Sequence, residues 1–399
     1  MLDLTIPFWI SILILGYTYL GYPALIWLWA RLRPRTLCAG RHEPKVTVLV
    51  VAYNEGRRIA ERLENLLTLD YPKELLEIIL ASDGSTDDTV ERARAYRQAG
   101  VTIAAYKTRR GKPAVLNELV PKAQGEIVVL ADARQRFDRD VLRVLVGSFA
   151  DPRVGAVSGE LILTPNAAGT SVGQGVGFYW RYEKSVRRHE SRVNSTVGVT
   201  GAIYAIRRNL FEPIPRDTLI DDVLIPMRVV ARGYRVLFES RAHAYDRVAA
   251  TPGEEFTRKV RTVAGNFQLF TREFWLLNPF RNRLWLQVLS HKGLRLLSPV
   301  FFLTALGTNL LVVSSPLYAW TLGGQILFYA AALGGYSLRN SSKQIRLLSV
   351  PYVICLFQWA TIVAFFRFVT GRQSVQWDGG SSQRGQSRLL SGSGSVPQH

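Results

Sequence analysis

Cysteine is nearly absent: the 399 residues hold two, Cys38 and Cys355. They give neither metal-ligand spacing nor a disulfide framework, and they fit a reducing, cytoplasmic setting. No Gly-x-Gly-x-x-Gly follows the first expected strand, and no Gly-Lys-Ser/Thr phosphate loop occurs anywhere. The dinucleotide fingerprint and the P-loop are therefore excluded, and nucleotide binding must rest on carboxylates and basic side chains. Acids are scarce: 31 Asp and Glu stand against 50 Lys and Arg, for a net charge of +19. Nucleic-acid binding is one reading of that balance, but no nucleic-acid motif is recognisable. The bases flank apolar stretches and gather at Arg258–Arg261, which suits anionic lipid headgroups and a phosphorylated substrate.

Charge is missing altogether from Ile6–Ala30, a run long enough to span ~30 Å of hydrocarbon as a helix. Asp3 stands where a signal peptide would carry basic residues, and the run is too long for its apolar core. Residues 6–30 are therefore expected to be a retained transmembrane helix. Arg31, Arg33 and Arg35 follow it, which places the next segment in the cytoplasm. Near the other end, Pro299–Val313, Leu317–Gly335 and Val350–Phe366 are apolar, so residues 298–369 are expected to hold about three more spans. Arg339, Lys343 and Arg346 sit in an acid-free loop, also assigned to the cytoplasm. The expected protein is thus a multi-pass protein of the inner, cytoplasmic membrane with its globular domain inside. Residues 281–297 either lie in the membrane interface as an amphipathic helix or pack on the domain. Residues 379–399 are Gly/Ser/Gln-rich and are expected to be disordered.

Between these ends, residues 45–270 alternate strand and helix patterns. Val46–Ala52, Leu76–Leu80, Val101–Tyr106 and Glu126–Asp132 read as buried parallel strands separated by helical periods. That series predicts an α/β, doubly wound, mostly parallel sheet. The alternation breaks down after Gly159. Ligands of such sheets sit beyond the carboxyl ends of the strands, and Asp83 stands at one such end in Ala81–Thr89. Asp83 can accept hydrogen bonds from ribose or base, or the turn only caps a helix through Thr86 or Asp87. Lys112, after Gly111 and before Pro113, can reach a diphosphate or be a solvated lysine. A second carboxylate, Asp132, ends the fourth strand in Asp132-Ala133-Arg134. The aromatic run Phe178–Tyr182 lines a sugar or lipid site or packs under the sheet, with packing favoured.

Gly201 marks a close backbone approach. Asp221 and Asp222 open a helix, where they favour its dipole; an adjacent pair beside an apolar patch also raises one pKa and prepares a base. Arg258, Lys259 and Arg261 are read at a helix start, against the dipole, so an anion is expected to hold them there.

Taken together, Val50–Glu55, Ser82–Asp87, Gly111-Lys112, Asp132-Ala133-Arg134, Ile220-Asp221-Asp222 and Arg258–Thr262 resemble a membrane-bound, processive-type family 2 glycosyltransferase. The group is that of the cellulose, hyaluronan and poly-N-acetylglucosamine synthases, with a GT-A-type nucleotide-sugar transferase fold. The resemblance implies inverting sugar transfer from a nucleotide-sugar donor, a UDP-sugar, to a glycan or lipid-linked acceptor at the cytoplasmic membrane face. It makes Asp222 the general base, and Tyr53, Glu55, Asp83, Lys112, Asp132, Arg134 and Arg261 donor-binding residues. Gly201, Asp221 and Arg258 would lie near acceptor or diphosphate. Asp132 would hold a divalent metal, Mg²⁺ or Mn²⁺. Arg134 replaces the second acid of Asp-x-Asp, which puts metal dependence in doubt. Thr262 replaces the Trp of Gln-x-x-Arg-Trp, which weakens processive polymerisation. The alternatives are a non-catalytic nucleotide- or partner-binding membrane protein of the same fold, and a nucleotidyltransferase.

Overall fold

Val46–Ala52 (β1) is apolar along its length because the sheet is covered on both faces. In the computed structural model, which describes residues 3–37, 40, 42–164, 171–247, 252–339 and 345–374, this strand is central. Cys38, Lys343 and the 379–399 tail lie outside the described residues. The order of elements after β1 is α3 (Gly56–Leu67), β2 (Leu76–Asp83), α4 (Thr89–Arg94), β3 (Val101–Tyr106), α5 (Lys112–Leu119) and β4 (Ile127–Asp132); α1 and α2 precede β1 and are described below. These strands are parallel, in the order β3-β2-β1-β4. Register sets Ala52 beside Ser82 and Val51 beside Asp132, so Tyr53, Asp83 and Asp132 emerge at one edge.

The chain continues through β5 (Arg136–Phe137), α6 (Val141–Gly147), β6 (Val154–Thr164), α7 (Ser171–Val193), β7 (Ile203–Arg207), α8 (Asp221–Ala231), β8 (Arg235–Arg247) and α9 (Pro252–Arg272). The break in alternation after Gly159 is a change of direction. β7 inserts antiparallel between β4 and β6, and β5 closes the edge antiparallel to β8. One face of the sheet buries Val48, Val50 and Ala131 under Ile59, Leu63 and Leu66 of α3 and Leu142 and Leu145 of α6. The other buries Leu49, Ile79 and Leu130 under α5 and α8. That second core does not stop at the domain: it continues through Val260, Val263 and Ala264 of α9 to Ala360 and Ala364 of a C-terminal helix.

Among the described residues, three helices are long and apolar enough to cross a membrane: Thr5–Leu32, Trp285–Leu311 and Leu347–Val369. The first joins α1 (Thr5–Gly16) to α2 (Tyr22–Leu32) through a π-helical turn, Tyr17–Gly21. The second joins α10 (Trp285–Val288) to α11 (Leu294–Leu311) through another, Leu289–Gly293. The third is most of α13 (Arg346–Val369). Between them α12 (Pro316–Ser337) forms the helix expected at Leu317–Gly335, although it is not among those three. The segment 281–297 is not a separate interfacial helix. From Trp285 it runs on into α11, because Gln287, Val288, Ser290 and His291 are buried rather than presented to an interface.

Two adjacent glycines on α12 make its contact with α13 testable. A Cβ on Gly335 would lie 2.4 Å from the Leu348 carbonyl oxygen, whereas on Gly334 the nearest atom is a Leu348 methyl at 3.5 Å. Gly335→Ala should therefore destabilise by ~1–3 kcal/mol through overpacking, and Gly334→Ala should not. Thermal unfolding of both variants in detergent checks this, and equal melting temperatures would contradict the helix pairing.

Candidate active site

The edge formed by β1, β2 and β4 is braced by the same residues the sequence offers as ligand groups. Asp83 is buried, and its two carboxylate oxygens accept the backbone N–H groups of Arg110 (2.7 Å) and Gly111 (2.8 Å). It thereby holds the loop that delivers Lys112, and Gly111 turns that loop at φ +88°, a conformation costly for other residues. Asp87 accepts from the Gly56 and Thr89 amides (3.0 and 3.1 Å), capping the start of α3. So two of the turn's three acids, Asp83 and Asp87, have a structural role, and Asp83 also lines the cleft. Asn54 takes φ +54° beside it, its Oδ1 accepting the Thr86 amide (2.8 Å). Tyr53 lies under the Arg109 guanidinium, 3.7 Å from the ring centroid.

Lys112 is the hinge of the site. Its Nζ stands 3.3 Å from Asp132 Oδ1 and 3.2 Å from Asp221 Oδ2. Burial alone would lower its pKa, but Asp132, Asp221 and Asp222 outweigh burial and raise it above the usual lysine value. Asp222, the neighbour of Asp221 in the first turn of α8, has its pKa raised by burial and by Asp221, against the pull of Lys112, Lys292 and Arg187. Its backbone is tied too. Pro226, four residues on, has no N–H for the Asp222 carbonyl, and that carbonyl accepts the Val199 amide instead (2.8 Å). The loop so anchored brings Gly201 against Asp222, where a Cβ would meet Oδ2 at 3.2 Å. Gly201 is thus close to the carboxylate.

Arg134 faces Glu55, whose pKa burial raises and whose carboxylate Arg134 and Arg58 stabilise. Asp138, at the rim, instead takes His243 Nδ1 (2.9 Å) and Tyr245 Oη (3.2 Å). The cations of α9 are not at a helix start, because the helix begins at Pro252 with Glu254 and Glu255 in its first turn. The anion beside Arg258 is Glu255, at 3.0 Å. Lys259 donates to Tyr179 Oη (3.1 Å) and lies over the Tyr179 and Phe357 rings. Thr262 bonds back to the Arg258 carbonyl (3.0 Å). The aromatic run of α7 does not sit only under the sheet: Tyr179 meets Phe357 of α13 edge-on at 4.9 Å, and Tyr182 donates to the Tyr19 carbonyl.

A continuous cleft of 3830 Å³ joins these groups. It is lined by Tyr53, Glu55, Asp83, Lys112, Asp132 and Arg134 at one end, and by Gly201, Asp221, Asp222, Arg258 and Arg261 further in. Beyond them it runs to Arg295, Phe302, Phe328 and Phe357 on the C-terminal helices. Sequence reasoning missed Arg62, Tyr204 and Lys292. Arg62 is 2% exposed, rests on the Phe137 ring, and has a pKa lowered by burial to about 9 against the pull of Asp132. An arginine on the apolar-periodic face of α3 was its one signal. Among the described residues no three His, Cys, Asp or Glu side chains converge as a metal cage.

Comparison with known proteins places this geometry. Residues 47–214 match the family described as Glycosyl transferase family 2. The chain is 26% identical over 235 residues to poly-beta-1,6-N-acetyl-D-glucosamine synthase of Staphylococcus aureus, covering 58% of this chain and 56% of that one. The Staphylococcus epidermidis synthase is 24% identical over the same length. The chain thus spans about half the length of the curated relatives it matches. Among solved structures, a mannosyltransferase from Pyrobaculum calidifontis in complex with GDP-Man and Mn²⁺ is 25% identical, with a TM-score of 0.70 over 91% of this chain and 99% of that one.

The raised pKa of Asp222 has a consequence for stability. The folded state binds this proton more tightly than the unfolded chain, whose value is near 3.8. Stability is therefore lost as pH rises from that value through the folded pKa. Asp222→Asn removes the loss, so it should melt above wild type at neutral pH, with the gap closing in acid. Thermal unfolding across that pH range reads this directly; a variant less stable than wild type at neutral pH would contradict the raised pKa of Asp222 beside Asp221.

Proposed function

We propose that this chain, which carries a family 2 glycosyltransferase domain of GT-A fold, moves a sugar with inversion from a nucleotide-sugar to a glycan or lipid-linked acceptor at the cytoplasmic face of a membrane. The observation that carries the proposal is one cleft lined by a half-buried acid, Asp222, and by a charge-bridging lysine, Lys112, together with residues of the sheet edge and of the apolar helices. Asp222 accepts the proton of the acceptor hydroxyl, and its raised pKa suits a base that must hold that proton. The freed oxygen forms its bond to the anomeric carbon, the bond from that carbon to the diphosphate breaks, and the electron pair leaves on the diphosphate. Lys112, Arg134 and Arg261 offset the charge that develops there. Tyr53 and Asp83 face the nucleoside, with Glu55 holding Arg134. Gly201 lets the acceptor come close to Asp222, beside Asp221 and Arg258.

Asp132 would hold a divalent ion together with the donor's phosphate oxygens, since Mg²⁺-type ions commonly take one or two carboxylates plus substrate phosphates. Its Oδ1 is engaged by Lys112, which leaves Oδ2 for that purpose. Such an ion supplies neutralisation of the leaving diphosphate. Orientation is supported by Arg31, Arg33 and Arg35 behind the first apolar helix, and by Arg339 after α12. The related synthases are named for an N-acetylglucosamine polymer and the P. calidifontis protein was solved with GDP-Man, so UDP- and GDP-sugars are the two donor classes to separate.

Purified protein offered both classes should release nucleoside diphosphate from one of them, a UDP-sugar on the present reading. Release from neither, with a lipid extract present, would sink the transferase function. Asp222→Asn should lower turnover by ~10²–10⁴-fold while nucleotide affinity is retained; lost affinity at unchanged turnover per bound donor would misplace the base. Chelation should reduce activity without abolishing it, and Arg134→Asp should deepen the dependence on added metal. Complete, metal-reversible loss in the wild type would leave Arg134 with no part in stabilising the leaving group.

A further inference from the structure

The membrane-side end of the cleft holds more positive charge than its own carboxylates answer. Glu183 of α7 is shared by His291 Nε2 (2.9 Å), Arg295 (2.8 Å) and Arg187 (3.2 Å). Burial acts to raise its pKa, yet these cations bring it well below the usual carboxylate value, so it is ionised. Glu190 is taken by His291 Nδ1 (2.8 Å) and the Tyr22 hydroxyl (2.5 Å). Lys292, the next residue after His291, lines the cleft, and among the described residues it has no ion pair and no hydrogen bond. Lys259 has only the Tyr179 hydroxyl and two ring faces. Among the described residues neither ammonium has an ion-pair partner, and both are half-buried in the cleft wall, where a ligand anion would meet two cations whose hydration is already reduced.

Two further observations say what would answer them. The wall beyond is apolar, made by Phe302 of α11, Phe328 of α12 and Val353 and Phe357 of α13, and both α11 and α13 belong to helices long enough to cross a membrane. On the other side the cluster reaches the acid pair. Arg187 Nη1 donates to Thr200 Oγ1 (3.2 Å), the residue before Gly201, which lies against Asp222. Ligand charge at Lys292 therefore sits close to the transfer site, with hydrocarbon continuing away from it. Lysine is a point-charge partner well suited to phosphate oxygens, and a phosphate carries enough charge to answer two ammonium groups at once.

We infer that the acceptor is a lipid phosphate, its phosphate held by Lys292, Lys259 and Arg187 and its hydrocarbon chain lying along α11, α12 and α13. The inference rests on the transfer reading for the position of Asp222, and it narrows the acceptor to an anionic amphiphile.

The full chain in neutral detergent is titrated calorimetrically with a long-chain polyprenyl phosphate, the matching polyprenol and inorganic phosphate. The polyprenyl phosphate should bind at least about tenfold tighter than either other probe. Lys292→Met should lose about that factor, Lys292→Arg should keep most of it, and Lys259→Met should also weaken binding. Nucleotide binding on the same samples reports that each variant folds. Equal affinity for phosphate and alcohol overturns the inference, as does Lys292→Met and Lys259→Met binding like wild type. Inorganic phosphate binding as tightly as the lipid overturns the hydrocarbon half of it. Lipid phosphate bound normally by a wild type that binds no nucleotide-sugar would instead overturn the transferase reading.

Discussion

One ammonium group makes the site possible. Asp132 ends a strand, while Asp221 and Asp222 begin a helix almost ninety residues later in the chain, and the fold brings all three carboxylates to the same place. Left alone they would repel across a partly dry cleft, and folding would have to protonate or expose them. Lys112 bridges two of the three and lowers the potential at the third. Its position is in turn secured by Asp83, which is spent on the backbone of residues 110 and 111, and by the left-handed turn at Gly111. The loop between β3 and α5 therefore exists in this form to deliver one charge.

The same logic joins the domain to its apolar helices. The core under the sheet runs through α9 into α13, where Phe267 packs against Phe365 and stacks near Phe368 (5.4 and 6.0 Å). Gly265 lets α9 approach Ile220, the residue just before the acid pair. On the other side, His291 sits between Glu183 and Glu190 with no exposure. Tyr22 adds the first apolar helix to the same cluster. The helices are thus fastened to the domain by a hydrophobic seam and by a buried polar network, each within reach of Asp222.

Much of this was legible in the chain because local patterns carried it. Continuous apolar strands announced the parallel half of the sheet, and Asp83 and Asp132 stand at the strand ends where the sequence pattern put them. What could not be read was anything decided by distant partners. The antiparallel β7 has the same composition as a parallel strand, so its direction is set only by pairing between β4 and β6. Arg258 looked like a cation misplaced at a helix start because the true start, Pro252, lies earlier and brings Glu255. The 281–297 segment could be read either as interfacial or as packed on the domain, because the partner of its His291 and Arg295, Glu183 of α7, lies more than a hundred residues away. Pro226 was a readable signal that went unread: a proline four residues after an acid in a helix leaves that acid's carbonyl available to a loop.

The substitution of Arg134 for a second acid also becomes intelligible as charge balance. At the sheet edge the acids include Glu55, Asp132, Asp221 and Asp222, and the cations that act on them include Arg58, Arg62, Lys112, Arg134, Arg187 and Lys292. An acid at position 134 would add one negative charge and remove one positive charge beside Glu55, whose carboxylate burial already disfavours. Repulsion of that size at low effective dielectric reaches kcal/mol per pair, and a bound cation would be required to relieve it. With arginine in place the protein carries part of that neutralisation in its own chain. A guanidinium belongs to the chain itself, whereas an ion must be captured from solution, so on the proposed reading this edge would carry part of the charge that offsets a diphosphate before a donor arrives.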